Sequence, residues 1–76
     1  MNQIVEVKDE QVGKAFIDLD EILLIQASGR VNFKTDQYHF LPNVDDIYTL
    51  LSQWEKWKKY KNERVFFTMD SVVGAA

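Results

Sequence analysis

The sequence predicts an α+β domain, in which an antiparallel sheet of about five to six strands carries one long amphipathic helix. Three observations predict this class. The first forty residues contain short apolar runs, several of them alternating with polar residues, between turn residues. A single apolar stripe at helical spacing follows, and a last short apolar run comes after it. The 76 residues suffice for one domain with one modest core.

Strands are predicted where short runs of β-branched and aromatic residues lie between turn residues. Residues 22–27 are apolar on both faces, which is typical of a central strand covered on each side. Gly29 follows in a tight turn, because glycine readily takes the positive φ that such a turn requires. We expect the consecutive strands to form an antiparallel meander. The predicted strands are 3–8, 14–19, 22–27, 31–35, 38–41 and 64–69.

One helix is predicted over residues 44–61. Pro42 ends the preceding strand because it cannot donate a ladder hydrogen bond, and Asn43 is a favourable N-cap. Lysines crowd the last turns, where the helix dipole favours cations, and Asn62 suits the position after the C-cap. We expect the apolar stripe to face the sheet. It consists of Ile47, Leu50, Leu51, Trp54 and Trp57.

The sequence contains no pattern typical of catalysis, metal binding or cofactor binding, and we expect a non-catalytic protein without a cofactor. It has no cysteine, and its three glycines are not spaced as in a phosphate-binding loop. The only histidine, His39, fits a partly exposed strand position better than an acid–base or DNA-contacting role. The acidic run 18–21 fits a solvated turn, since a calcium loop needs glycine where Leu23 stands.

Charge and hydropathy indicate the compartment and the partners. The longest aliphatic run, 22–25, is far shorter than the roughly 20 residues that cross a bilayer. No signal-like segment opens the chain, so we expect a cytoplasmic protein that does not enter the membrane. The net charge of −3 argues against attraction of nucleic acid to the whole surface. Residues 1–46 hold four basic and nine acidic residues (−5), whereas residues 47–76 hold five and three (+2).

The segment 54–61 mixes aromatic residues with lysines, and two interpretations fit it. Its lysines suit contacts to phosphates or to an acidic partner, with an aromatic ring available for stacking. Its spacing also suits an ordinary amphipathic helix with inward tryptophans and lysines that complement the dipole, and helical geometry favours this second interpretation.

The run 16–35 resembles the opening of the LytTR domain, the DNA-binding domain of many bacterial response regulators. The family pattern has an acidic turn before a strand of the type Asp-Ile-x-Tyr-Ile-Glu, then a polar turn and a strand that ends near Thr. Residues 21–26 fit this pattern, with Leu24 where an aromatic residue is common. The short strand 38–41, the helix and the segment 65–75 continue the resemblance.

The resemblance spans about residues 4–73 and implies a small DNA-binding regulator without a receiver domain. Members of the family contact DNA with loops between strands, and Arg30 would then suit a bidentate contact to guanine. The alternative interpretation of Arg30, an exposed turn cation, fits the sequence somewhat better. A domain of this size would dimerise or bind paired sites to reach useful specificity. The expected DNA-contacting residues are Ser28, Arg30, Asn32, Lys34, Lys56, Lys58 and Lys59.

A second hypothesis is a protein-interaction module, an inhibitor or accessory factor that uses the same fold without binding DNA. Two observations favour it: the acidic net charge, and a last segment, 68–74, without the basic residues and asparagine of the LytTR family. Such a module would dock a protein partner through its sheet edge or through the Trp/Lys face of its helix. The two hypotheses differ in salt dependence, which is steep for DNA binding only.

Overall fold

Two antiparallel sheets and one helix make up the fold in the computed structural model, which describes residues 2–75. The α+β class predicted from the sequence is confirmed. No helix in this part of the chain is long and apolar enough to cross a membrane. The elements are β1 Ile4–Asp9, β2 Gly13–Asp18, a 3-10 turn Leu19–Glu21, β3 Ile22–Gln26, β4 Arg30–Phe33, β5 Tyr38–Phe40, α1 Val44–Tyr60, β6 Arg64–Phe67 and β7 Ser71–Ala75.

The strands do not form the single meander that the sequence predicts. β1 and β2 make a separate two-stranded hairpin, whereas the other five strands form a sheet in the order β5-β4-β3-β7-β6. The 3-10 turn explains the difference. Leu19 is fully buried there, and its N–H donates to the carbonyl of Gln3 at 2.8 Å. Because this buried turn redirects the chain, β2 and β3 lie in different sheets.

A seventh strand, β7, lies in the sheet between β3 and β6 and is not among the predicted strands. The predicted strand 64–69 ends earlier, since a tight turn closes where the Thr68 N–H donates to the Ser71 carbonyl at 2.8 Å. Gly74 weakens the strand signal of this segment. The structure requires a glycine there, because a Cβ on Gly74 would lie 2.7 Å from Cζ2 of Trp54.

The helix α1 agrees with the predicted span 44–61 to within one residue. The Asn43 side chain accepts from the N–H of Asp45 at 2.9 Å, as expected of an N-cap. Asn62 has a φ of 60°, and the following N–H, of Glu63, donates to the Lys58 carbonyl at 2.8 Å. This pattern is a Schellman C-cap, in which asparagine takes the left-handed position.

The five-stranded sheet has one covered and one open face. The inner face, which carries the buried side chains of Ile25, Val31 and Val72, packs against α1 and the β1–β2 hairpin. The Lys8 N–H donates to the Asp46 carboxylate at 2.9 Å and so joins the hairpin to the helix. We call the opposite side the outer face. The buried apolar core consists of Val7, Ala15, Ile17, Leu19, Ile22, Ile25, Val31, Leu41, Leu50, Trp54 and Val72.

A buried carboxylate, Asp9, joins the hairpin to β5. Its Oδ1 accepts from the N–H groups of Gln11 and Val12, and its Oδ2 accepts from the N–H of Phe40 and lies 2.9 Å from His39 Nδ1. Hydrogen bonds led by the Val12 N–H lower the pKa of Asp9 to about 2, although burial opposes them. The half-buried His39 therefore anchors Asp9 from its strand position.

Two glycines in left-handed turns give a matched pair of substitutions. The positive φ of Gly13 (+80°) and of Gly29 (+105°) disfavours any residue with a side chain. At Gly13, however, an added Cβ would meet only open space. At Gly29 a Cβ would overlap the backbone carbonyl of Leu41. We expect Gly13→Ala to cost about 1 kcal/mol, and Gly29→Ala about 1–3 kcal/mol more because of this overlap. Urea unfolding of both variants measures the difference, and equal losses would contradict the close approach.

Candidate nucleic-acid interface

The strand β4 and its two flanking turns bring together four of the seven residues expected to contact DNA. Ser28 lies in the β3–β4 turn and Lys34 follows β4, and both are exposed. Arg30 and Asn32 flank the fully buried Val31 on β4. Because side chains alternate along a strand, Arg30 and Asn32 lie on the outer face.

The Arg30 side chain is held in place on the outer face. Its Nε donates to Asn32 Oδ1 at 3.0 Å, and its Cζ lies 4.1 Å from the centroid of the Tyr38 ring. Tyr38 is the register partner of Asn32 on β5, so the sheet fixes all three residues relative to one another. A bidentate contact to a guanine edge or a phosphate needs only the terminal Nη groups. Arg30 is thus oriented with these donors still available.

The outer face differs in charge from the rest of the molecule. Among its strand residues within 2–75, Arg30 and Arg64 are the only charged ones, while the whole chain has a net charge of −3. One carboxylate, Asp36, lies in the β4–β5 turn at the rim of a shallow depression of about 400 Å³ beside Arg30. The strand residues of the outer face are Leu23, Leu24, Gln26, Arg30, Asn32, Tyr38, Phe40, Arg64, Phe66, Ser71, Val73 and Ala75.

The structure does not bring the helix lysines to this face. Lys56 and Lys59 are exposed, but they lie on the side of α1 that is turned away from the sheet. Since α1 covers the inner face, these two lysines and Arg30 lie on opposite sides of the molecule. A rigid duplex bound at β4 would not contact them.

Lys58 does not lie on the surface at all. It is 5% exposed, and its Nζ lies 3.1 Å from Oε1 of Glu63. The ammonium is 5.9 Å from the ring centroid of Trp54, and its stem lies against Gly74. Lys58 follows Trp54 by four residues, so helical geometry already places both on the inward face. That spacing is the signal that could have excluded Lys58 as a DNA contact.

The acidic run 18–21 is more structured than the solvated turn that the sequence predicts. Asp20 Oδ1 accepts from Trp57 Nε1 at 2.6 Å and from Lys61 Nζ at 2.8 Å. The Lys61 hydrogen bond and then the Trp57 hydrogen bond lower the pKa of Asp20 below its usual value. Asp20 therefore ties the C-terminal end of α1 to the 3-10 turn. In residues 2–75 no group of three or more His, Asp or Glu residues could hold a metal ion.

A second surface feature is an apolar groove of about 250 Å³ between the N-terminal half of α1 and the β6–β7 turn. Tyr48 and Phe67 line it and are about two-thirds exposed, and Met69, at 96% exposure, lies at the turn. Asp70 is its one charged lining residue. Protein docking was predicted at a sheet edge or at the Trp/Lys face of the helix, whereas the groove lies along the N-terminal half of the helix.

Comparisons with protein-family models, with curated proteins and with solved structures find no match to this chain. The LytTR resemblance therefore stays a prediction from the sequence, and a functional proposal rests on the outer face and the groove.

Proposed function

We propose that this protein is a small LytTR-like DNA-binding regulator that contacts DNA through β4 and its flanking turns. The observation that carries the proposal is the oriented Arg30, which Asn32 and Tyr38 hold on the outer face. In this assignment Arg30 contacts a base edge, Asn32 orients it, and Lys34 and Ser28 contact phosphates from the turns. The helix lysines have no part in the interface.

The charge of the outer face sets the strength and salt dependence of this binding. Two cations, Arg30 and Lys34, belong to the proposed interface, whereas Arg64 lies on β6, three strands away in the sheet order. On random duplex DNA, where Arg30 contacts a phosphate instead of a cognate base, each neutralised phosphate contributes about −0.9 to the slope of log K against log salt concentration, so the slope should lie near −2. The acidic remainder of the chain repels DNA and orients the encounter. We therefore expect modest affinity for a single site and a gain from paired sites.

Substitution of Arg30 tests the interface against a charge-matched control. Arg30→Ala should weaken binding to a cognate duplex by about 1–3 kcal/mol, roughly 5- to 150-fold, because the base contact is lost. Lys59→Ala removes the same charge on the opposite side of the molecule and should leave the affinity nearly unchanged. Fluorescence anisotropy with duplex DNA, selected first from a random pool at low salt, measures both.

Arg30→Lys separates the two roles of the guanidinium. It keeps the charge but loses the bidentate geometry and the stacking on Tyr38, so binding to random duplex should persist while sequence preference falls. Equal weakening by Arg30→Ala and Lys59→Ala would show that the effect is one of total charge and would remove the outer face from the interface.

The groove favours a second candidate function, a protein-interaction module. Its apolar lining with Tyr48 and Met69 exposed suits an amphipathic segment of a partner protein, and Asp70 suits a cation beside the apolar side chains of that segment. Binding in the groove would be largely insensitive to salt, whereas binding at β4 would weaken steeply as salt rises.

A further inference from the structure

The fold covers one edge of the five-stranded sheet and leaves the other edge open. The β1–β2 turn covers the β5 edge, where the Glu10 N–H donates to the Phe40 carbonyl at 2.9 Å and Asp9 accepts from the Phe40 N–H at 3.1 Å. The other edge is β6. Within residues 2–75, no segment other than β7 forms backbone hydrogen bonds with β6. The β6 edge therefore keeps a row of backbone groups available for another strand.

The register identifies those groups. In an antiparallel pair, hydrogen-bonded and non-hydrogen-bonded residue pairs alternate. The Thr68 N–H donates to Ser71, so Phe66 opposite Val73 is again a hydrogen-bonded pair. The backbone N–H and C=O groups of Val65 and Phe67 then point away from β7, to the open edge.

We propose that two copies of this protein pair through β6, antiparallel and about a two-fold axis, to form one continuous ten-stranded sheet. With Phe66 opposite its symmetry mate, Val65 of one copy faces Phe67 of the other. These are the residues whose backbone groups are open, so the two strands exchange hydrogen bonds at both positions. In this register, residues that lie on the same face of the sheet are opposite each other. The inner faces of both copies therefore lie on the same side of the ten-stranded sheet.

Side chains support this pairing. Phe66 is 51% exposed on the outer face, and the strand carries neither lysine nor proline, the residues that commonly protect an edge. Arg64 falls opposite Thr68 of the second copy, and that copy's Asp70 lies two residues further along the chain, in the β6–β7 turn. Neither Arg64 nor Asp70 forms an ion pair within the described chain. The pairing thus places an aromatic pair at its centre and opposite charges in the region of each end.

The interface is small, and its strength follows from its size. Each copy contributes the four residues of β6, far fewer than the roughly 20–30 residues that each partner contributes to a standard interface. We therefore expect a weak dimer that forms at micromolar concentrations or above. The inference goes beyond DNA binding and does not depend on it. A dimer would nevertheless place two Arg30 residues on one continuous outer face, as binding to paired sites requires.

Sedimentation velocity from low micromolar to near-millimolar concentration tests the pairing. The wild type should associate as its concentration rises. Phe66→Lys and Phe66→Glu should each stay monomeric, because like charges then meet at the two-fold axis. An equimolar mixture of the two variants should associate again, since opposite charges now face each other. Phe16→Lys, at a 64% exposed phenylalanine on β2, is the matched control and should associate like the wild type.

Far-UV circular dichroism and thermal unfolding confirm that each variant is folded. Restored association in the mixture supports β6 pairing directly, because neither variant associates alone. A monomeric wild type throughout the range would overturn the proposal. Association that persists in Phe66→Lys would also overturn it, since the contact would then lie on another surface, as would loss of association in Phe16→Lys.

Discussion

Trp54→Ala is expected to lower the free energy of unfolding by about 3–5 kcal/mol, a large share of the 5–15 kcal/mol that small proteins have. Trp54 is fully buried between α1 and the inner face. Its ring contacts β7 at Gly74, where no side chain could move in to fill the space, and the stem of Lys58 lies beside it. Removal of the indole leaves a cavity and loosens the cover of a buried ammonium.

Trp57→Ala is the matched control for this substitution. Trp57 is half-buried, and its indole N–H donates to Asp20, so its removal should cost less than removal of Trp54. Urea unfolding of both variants at neutral pH gives the comparison. A larger loss for Trp57→Ala would mean that the core is centred at the C-terminal end of the helix rather than on Trp54.

Asp9→Ala is expected to cost about 3–5 kcal/mol, since it leaves His39 and three backbone N–H groups without their shared acceptor. Asp9 is 5% exposed, so water replaces these hydrogen bonds poorly. Asp45→Asn, at an exposed aspartate in the first turn of α1, is the control and should cost well under 1 kcal/mol. Similar losses in both variants would contradict a special role for Asp9.

The same carboxylate predicts a pH dependence with a defined sign. The pKa of Asp9 falls from 3.8 to about 2 on folding, so the unfolded chain takes up the proton first. The corresponding stability, roughly 2 kcal/mol, is present above pH 4 and is lost as the pH falls towards 2. Asp9→Asn lacks this component. The stability difference between wild type and Asp9→Asn should therefore shrink in acid, and a difference independent of pH would contradict the shift.

Local signals predicted the helix well and the sheet pairing less well. Asn43 and Asn62 mark the ends of α1 because caps act within a few residues of the backbone groups that they satisfy. Sheet order depends on contacts far apart in sequence. β7 pairs with β3 across nearly fifty residues, and its glycine becomes understandable only with Trp54 in place. The sequence therefore predicted the class but not the second sheet.

In the candidate site, too, local features could be predicted from the sequence, whereas the relative placement of distant segments could not. Alternation along β4 kept Arg30 and Asn32 together on one face, so the strand part of the site could be predicted from a short run of residues. Whether Lys56 and Lys59 lie beside Arg30 depends on how the helix is placed relative to the outer face. No local sequence pattern contains that information, and the structure places these lysines on the opposite side of the molecule. The role of Asp9 was likewise hidden, because three of its donors come from a tight turn and a distant strand.

Salt dependence of DNA binding tests the central proposal most directly. Fluorescence anisotropy of the wild-type protein with random duplex DNA, from low to near-physiological salt, gives the slope of log K against log salt concentration. DNA binding through Arg30 and Lys34 predicts measurable affinity at low salt and a slope of about −2. No binding at low salt, or binding that does not change with salt, would contradict the proposal and favour a protein partner in the groove.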